Sequence, residues 1–261
     1  MKRLDFALKI AKQAGKIMRT NFKIGMTKTW KDDHSPLTAT DLAINKLVID
    51  SVTKIFPDHS VLAEEGSLNI KDKEYIWVCD PVDGTIPFSH GVPTAAFSLA
   101  LTKNGESILG VVYDPFMNRL LYAEKGKGAF MNGQPVKVST DATLDHTVLN
   151  VDGPIKAGYY NLFSLPGLLD AEEARITKFS CLVYGGILVA IGEYSGAVCT
   201  GKHPWDIAAL KIIVEEAGGK VTNIYGKDQL YNQQIEGALI TNGLVHDRLL
   251  QLVSKSMPDK K

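Results

Sequence analysis

Apolar residues recur at helical spacing from the start of the chain. Leu4, Leu8, Ala11 and Met18 alternate with lysines and predict an amphipathic helix over residues 2–22. The pattern lapses over 23–37, a polar, irregular stretch with Lys28, Lys31, Asp32, Asp33 and Pro36. It resumes with Leu42, Ile44, Leu47, Val48, Val52, Ile55 and Phe56, a second helix that Thr38 or Thr40 can cap and Pro57 ends. Short apolar runs at Ser60–Ala63 and 75–79 read as strands, the second delivering Asp80.

From Thr94 to about Val138 the chain becomes β-rich. Runs at 95–102 and 107–113 are joined by Asn104-Gly105, a tight-hairpin signal, and Asn132-Gly133 marks another turn. An antiparallel meander is expected. Residues 147–178 carry the weakest pattern, with turns expected at Asp152-Gly153-Pro154 and Pro166-Gly167. A small-residue helix over Cys181–Gly192, a strand over 194–199 and a helix over 205–217 ending at Gly218-Gly219 follow. A strand at 237–241 and a helix at 244–255 complete the order, and the tail Ser256–Lys261 is expected to be disordered. This order is not a repeating β-α-β pattern. It fits mixed layers of helices and antiparallel-rich sheets, as one domain or two intimately packed halves.

Composition narrows the function more than the fold. Twenty-nine basic and 29 acidic side chains balance, so no global field draws the chain to nucleic acid or to an anionic membrane. No stretch approaches the length of a membrane span. Asp5, Lys9 and Lys12 interrupt any apolar core of a signal peptide. Cys79, Cys181 and Cys199 have no metal-type spacing and read as buried free thiols of a reducing, cytoplasmic compartment.

The chemistry concentrates in Trp77-Val78-Cys79-Asp80-Pro81-Val82-Asp83-Gly84-Thr85. Two carboxylates this close repel unless a cation lies between them, and hard divalent cations want oxygen ligands. Gly84 and Thr85 add backbone N–H groups and a hydroxyl, which suit an anion. Asp-Pro and Asp-Gly are also ordinary turn dipeptides. Glu64-Glu65 could be a solvated pair, and Asp41 could serve only its helix N-terminus. Asp206, among Trp205, Ile207, Ala208, Ala209 and Leu210, needs a partner.

Glu64-Glu65-Gly66, Asp80-Pro81-Val82-Asp83-Gly84-Thr85 with Phe88 and His90-Gly91-Val92-Pro93, and Trp205-Asp206-Ile207-Ala208-Ala209 ahead of Glu216-Ala217-Gly218-Gly219 form a set. They resemble the two signature motifs of the inositol monophosphatase family of metal-dependent, lithium-sensitive phosphatases. The resemblance implies an α+β fold, a five-layered α-β-α-β-α sandwich with mixed, largely antiparallel sheets, usually a homodimer. It implies one inositol-monophosphatase-like domain over 1–261. Its N-terminal half, 1–145, would carry most metal ligands, and 146–261 would carry Asp206 and the substrate pocket. Mg²⁺ is the implied cofactor and a small phosphomonoester the implied substrate, with no nucleic-acid or membrane partner. Glu64, Asp80 and the Val82 carbonyl would hold one ion, and Asp80, Asp83 and Asp206 a second. Asp41, Glu64 and Thr85 would be catalytic, with Asp41 and Thr85 orienting the attacking water and Glu65 in support. Gly84 and Thr85 would contact phosphate.

The chain departs from the family around the substrate. Inositol-specific members carry a glutamate seven residues before the Trp-Asp aspartate, where this chain has Cys199, a poor hydroxyl partner. Ser180-Cys181-Leu182 replaces a smaller segment, and Pro87 stands where Asn is common. Histidinol phosphate, a sugar phosphate or a nucleotide-derived phosphate therefore competes with inositol phosphate. His90 and His203 read as structural, and Lys202 as a substrate contact or a solvated side chain. Two non-enzymatic alternatives stand beside these. One is an inert partner-binding relative, against which the retained carboxylates argue. The other is a nucleotide-binding loop at Gly196–Lys202, which has His203 where a Ser or Thr should reach Mg²⁺.

Overall fold

The computed structural model describes residues 2–32, 34–68, 73–152, 160 and 162–257. Asp33, the Gly153-Pro154 part of one expected turn and the end of the expected disordered tail lie outside them. The elements run α1 (Arg3–Asn21), β1 (Thr29–Trp30), β2 (Pro36–Leu37), α2 (Ala39–Ile55), β3 (Ser60–Ala63), β4 (Tyr75–Asp83) and α3 (Thr85–Ser89). Then come β5 (Ala96–Lys103), β6 (Glu106–Asp114), β7 (Arg119–Glu124), β8 (Ala129–Met131), β9 (Gln134–Pro135), β10 (Val148–Asp152) and α4 (Leu165–Asp170). The chain closes with β11 (Arg175–Thr177), α5 (Leu182–Ala190), β12 (Gly196–Cys199), a 3-10 turn (Pro204–Asp206), α6 (Ala208–Glu216), β13 (Lys220–Thr222), β14 (Ala238–Thr241) and α7 (His246–Ser256).

Two sheets and three helical layers stack. The seven-stranded sheet has the order β3-β4-β5-β6-β7-β8-β9, antiparallel except for β3 beside β4. Its strands from β5 onward are sequential neighbours because hairpins join them, while α3 lies between β4 and β5. At Asn104-Gly105 both central residues are left-handed, φ 52° and 86°, as a type I′ turn requires. The five-stranded sheet, β11-β10-β12-β14-β13, is mixed: β10 runs parallel to β11 and β12, and β14 antiparallel to β12 and β13.

Strand alternation sorts the layers. Along β5, Phe97, Leu99 and Leu101 face α1 and α2, packing with Phe6, Ile10, Ile44 and Trp77. Ala96 and Ala100 face the other way, onto α5 and α6. Those two helices are sandwiched between the sheets, sharing a core with Val112, Ala197 and Ile240. Leu149, Val198 and Leu239 point outward to α4 and α7, meeting Leu165, Leu169 and Leu249. The result is the expected α-β-α-β-α sandwich. Gly110 sets the spacing between β6 and α6, since a Cβ there would lie 2.5 Å from the Ala209 carbonyl.

Several local expectations need correcting. Pro166-Gly167 is not a turn but the first turn of α4, where proline's missing N–H has no helical partner to lose. The 23–37 stretch contains a small hairpin, β1 with β2. The helix expected over 205–217 is divided, with Asp206 in the 3-10 turn and α6 starting at Ala208. Gly196–Cys199 is a buried strand paired on both sides, which rules out a phosphate-cradling loop there.

Candidate active site

A cavity of about 490 Å³ opens between the two sheets, bounded by the ends of β4 and β10 and by the 3-10 turn. β4 is apolar and buried until Asp80, and its register against β5 shifts between Asp80 and Asp83. This irregularity frees the Asp80–Asp83 segment from regular pairing and lets both carboxylates reach one place. Gly84 follows in the left-handed region, φ 84°, and starts the short helix α3. A Cβ on it would sit 2.6 Å from the Thr94 carbonyl, so the turn admits only glycine.

Asp80, Asp83 and Asp206 each offer an oxygen within 4.8 Å of the others. Their exposures are 2%, 7% and 7%, so water screens them little. Burial pushes the Asp80 carboxyl well up, with Glu64, Asp83, Asp206 and Asp41 adding repulsion. Burial also raises Asp206, with Asp83 and Glu64 repelling it. Burial lifts Asp83 to about 7 even though Cys181 and Val183 donate to it. Among the described residues no lysine or arginine pairs with these three carboxylates; Lys31 instead pairs with Glu64 at 2.5 Å and Glu65 at 2.8 Å. A buried, mutually repelling set of oxygen donors is what a hard divalent cation relieves. The residues therefore fit Mg²⁺, which oxygen donors suit better than nitrogen or sulfur ones do.

Asp41 serves two ends at once. The Thr38 N–H donates to its Oδ2 at 2.9 Å, completing a capping box for α2. Its Oδ1 lies 3.2 Å from the Thr85 hydroxyl, which also lies 2.8 Å from the Val82 carbonyl oxygen. The helix-capping role and the link to Thr85 thus coexist. Burial raises the Asp41 carboxyl against the opposing pull of the Thr38 donors.

Glu64, Val82, Gly84 and Thr85 line the cavity with the three aspartates. Glu65 is held by Lys31. His203 stacks on Trp205, centroids 4.6 Å apart, and both line the cavity. His90 is tied to Lys28 and the Ile86 carbonyl, and neither it nor Lys202 lines the cavity. Sequence reasoning missed Lys31 as a partner of Glu64, and missed His34, Asp152 and Lys178 in the lining. The alternating Val148-Leu149-Asn150-Val151-Asp152 run could have flagged a strand ending in a carboxylate.

The model of the inositol monophosphatase family matches residues 2–257. The chain belongs to the inositol monophosphatase family. Among curated proteins it is 34% identical over 258 residues to the fructose-1,6-bisphosphatase/inositol-1-monophosphatase of Thermotoga maritima, covering 98% of this chain and 97% of that one. It is 31% identical over 262 residues to the Nus factor SuhB of Escherichia coli K12, covering 98% and 96%. Among solved structures it superposes on a Thermotoga maritima IMPase with a TM-score of 0.88 at 34% identity, covering 98% of both chains. Membership of that family indicates a phosphatase. No helix among the described residues is long and apolar enough to cross a membrane.

Proposed function

We propose that the protein is a Mg²⁺-dependent phosphatase of small phosphomonoesters, inositol monophosphate or a similar compound, acting by direct attack of water. The convergence of Asp80, Asp83 and Asp206 within 4.8 Å carries this reading. Glu64, Asp80 and the Val82 carbonyl would hold one ion, and Asp80, Asp83 and Asp206 would hold a second. When bound, Mg²⁺ neutralises phosphoryl charge and makes water easier to deprotonate.

The chain's own residues orient that water. The Thr85 hydroxyl has one proton and two oxygen neighbours, Val82 O at 2.8 Å and Asp41 Oδ1 at 3.2 Å. With its proton donated to Asp41, the Thr85 hydroxyl can accept from water through its lone pairs. Asp41, its carboxyl raised by burial, is poised to take the proton onward. Gly84 and Thr85 offer backbone N–H groups to the phosphate. Glu65 supports the shell through its bond with Lys31.

The substrate's remaining part meets Lys178, Ser180, Leu182 and the His203–Trp205 stack. Cys199 and Leu182, in place of smaller or acidic groups, favour a histidinol, sugar or nucleotide phosphate as the alternative substrate. Residues 1–145 supply most of the ligands, and residues 146–261 supply Asp206 with the substrate wall. A homodimer, lithium sensitivity and a cytoplasmic location complete the reading, the last supported by three buried free cysteines. The test is phosphate release from inositol, histidinol, fructose-bisphosphate and adenosine phosphates with Mg²⁺, with chelator and with Li⁺. Mg²⁺-dependent release from at least one is expected; none from any of them overturns the proposal.

A further inference from the structure

β10 ends on Asp152, which lines the cavity from the five-stranded sheet yet is 1% exposed. Three N–H groups point at its carboxylate. Oδ1 accepts from the Ser180 backbone at 2.9 Å, and Oδ2 accepts from the Phe179 backbone at 3.2 Å and Asn150 Nδ2 at 2.9 Å. Asn150 is fixed in turn by Thr177, whose hydroxyl donates to its Oδ1 at 3.3 Å. Gly185 of α5 presses on the same side chain, since a Cβ there would lie 2.5 Å from Asn150 Nδ2. The carboxylate is therefore a fixed point between β10, the 177–181 segment and α5.

The segment it holds is strained. Ser180 has φ 55°, in the left-handed region that favours glycine. A residue with a side chain stays there when its surroundings over-determine it, and two successive N–H bonds to Asp152 do so. The next residues cross to the other sheet. Cys181 Sγ–H donates to Asp83 Oδ2 at 2.8 Å, and the Val183 N–H donates to the same oxygen at 2.6 Å. Both donors engage one oxygen of Asp83, leaving Oδ1 without a donor from this turn.

We propose that Asp152 is a positioning residue for the cation site: it clamps the Phe179–Ser180 turn so that Cys181 and Val183 hold Asp83 in its ligating orientation. This rests on the reading that Asp83 holds a cation. Partners that orient a metal ligand typically account for ten- to a hundred-fold in metal affinity.

The test is Mn²⁺ binding to the full chain without substrate, followed by the paramagnetic resonance of free Mn²⁺, with circular dichroism to confirm folding. Asp152→Asn keeps the shape and loses acceptor capacity, and it is expected to raise the Mn²⁺ Kd about ten-fold. Adding Ser180→Gly is expected to restore part of the affinity, because glycine adopts the left-handed turn without the steric cost that the clamp offsets. A folded Asp152→Asn protein with a Kd within about two-fold of wild type overturns the proposal, and so does a double variant that recovers nothing. If Asp152→Asn does not fold, Cys181→Ala carries the test, since it removes the one side-chain donor to Asp83 and leaves the Val183 N–H in place; unchanged Mn²⁺ affinity there overturns the proposal equally. Asp80→Asn separates the two ideas. If it binds Mn²⁺ as wild type does, the cation reading itself fails, whatever Asp152→Asn shows.

Discussion

Buried carboxylates stand on both sides of the cavity, and the two sheets treat them differently. Asp152, on the five-stranded side, receives three N–H donors. Asp80, on β4 of the seven-stranded sheet, receives the Val82 N–H at 3.0 Å while facing Glu64, Asp83 and Asp206. A carboxylate wrapped in donors has its hydrogen bonds satisfied within the fold. A carboxylate facing others needs protons or an external cation. The comparison separates a structural anchor from a ligand set, although composition and burial are alike.

The largest expected effect falls on the ligand side. Asp80→Asn removes a donor at the centre of the cluster and one of its mutually repelling charges. Turnover should fall by at least ~10³-fold, at or beyond the loss seen on removing one preorganised electrostatic group. The metal-free fold should melt no lower than wild type, because repulsion is relieved. Near-normal phosphate release by this variant would remove Asp80 from the site.

Protons probe the same side. Asp83 is lifted to about 7, and Asp80 and Asp206 are raised in the same direction. The folded, metal-free protein therefore binds more protons than the unfolded chain between about pH 4 and 7. Its stability is full at low pH and falls as pH rises through that window, by up to about 4 kcal/mol for Asp83. Saturating Mg²⁺ should cancel the fall, since it binds the ionised form. Thermal melts against pH, with chelator and with Mg²⁺, check this; parallel curves would deny the coupling.

The five-stranded side should show the opposite sign. His246 is buried under β13 and β14, with Nε2 3.1 Å from the Thr222 hydroxyl and Nδ1 2.9 Å from the Thr241 hydroxyl. Burial lowers its pKa to about 4. The unfolded chain takes the proton near pH 6.5, so stability is whole above that and is lost as pH falls toward 4. The expected loss is about 3 kcal/mol, absent in His246→Gln. A variant with the wild-type acid limb would place the loss elsewhere.

The same division governs what the sequence discloses. The β5–β9 part of the seven-stranded sheet is legible because hairpins join its strands, two of them marked by Asn104-Gly105 and Asn132-Gly133. β10 and β11 are not, because β10 pairs in parallel with strands far along the chain: Val148 meets Arg175, and Leu149 meets Gly196. Such pairing leaves no tight-hairpin signal beside the strand. Asp80, Asp83 and Asp206 stand out by their motifs, and the structure brings them together. Lys31 and Asp152 do not, because their partners Glu64 and Ser180 become neighbours only through tertiary packing.

The smallest expected effect tests whether Asp41 belongs with the ligand side or only with its helix. Thr38 supplies both its backbone N–H and its hydroxyl to Asp41 Oδ2, and it accepts the Thr40 N–H at 3.2 Å as the cap of α2. Thr38→Ala deletes the hydroxyl and leaves the backbone donor. Loss of the cap should lower stability by about 1 kcal/mol. That much follows for any helix. The hydroxyl also favours the ionised Asp41, so its removal should raise a carboxyl that burial already holds high. If Asp41 takes the proton from water, the acid limb of the pH–rate profile moves to higher pH while the plateau changes little. A loss of stability with an unmoved acid limb would leave Asp41 as a capping residue and assign the proton elsewhere.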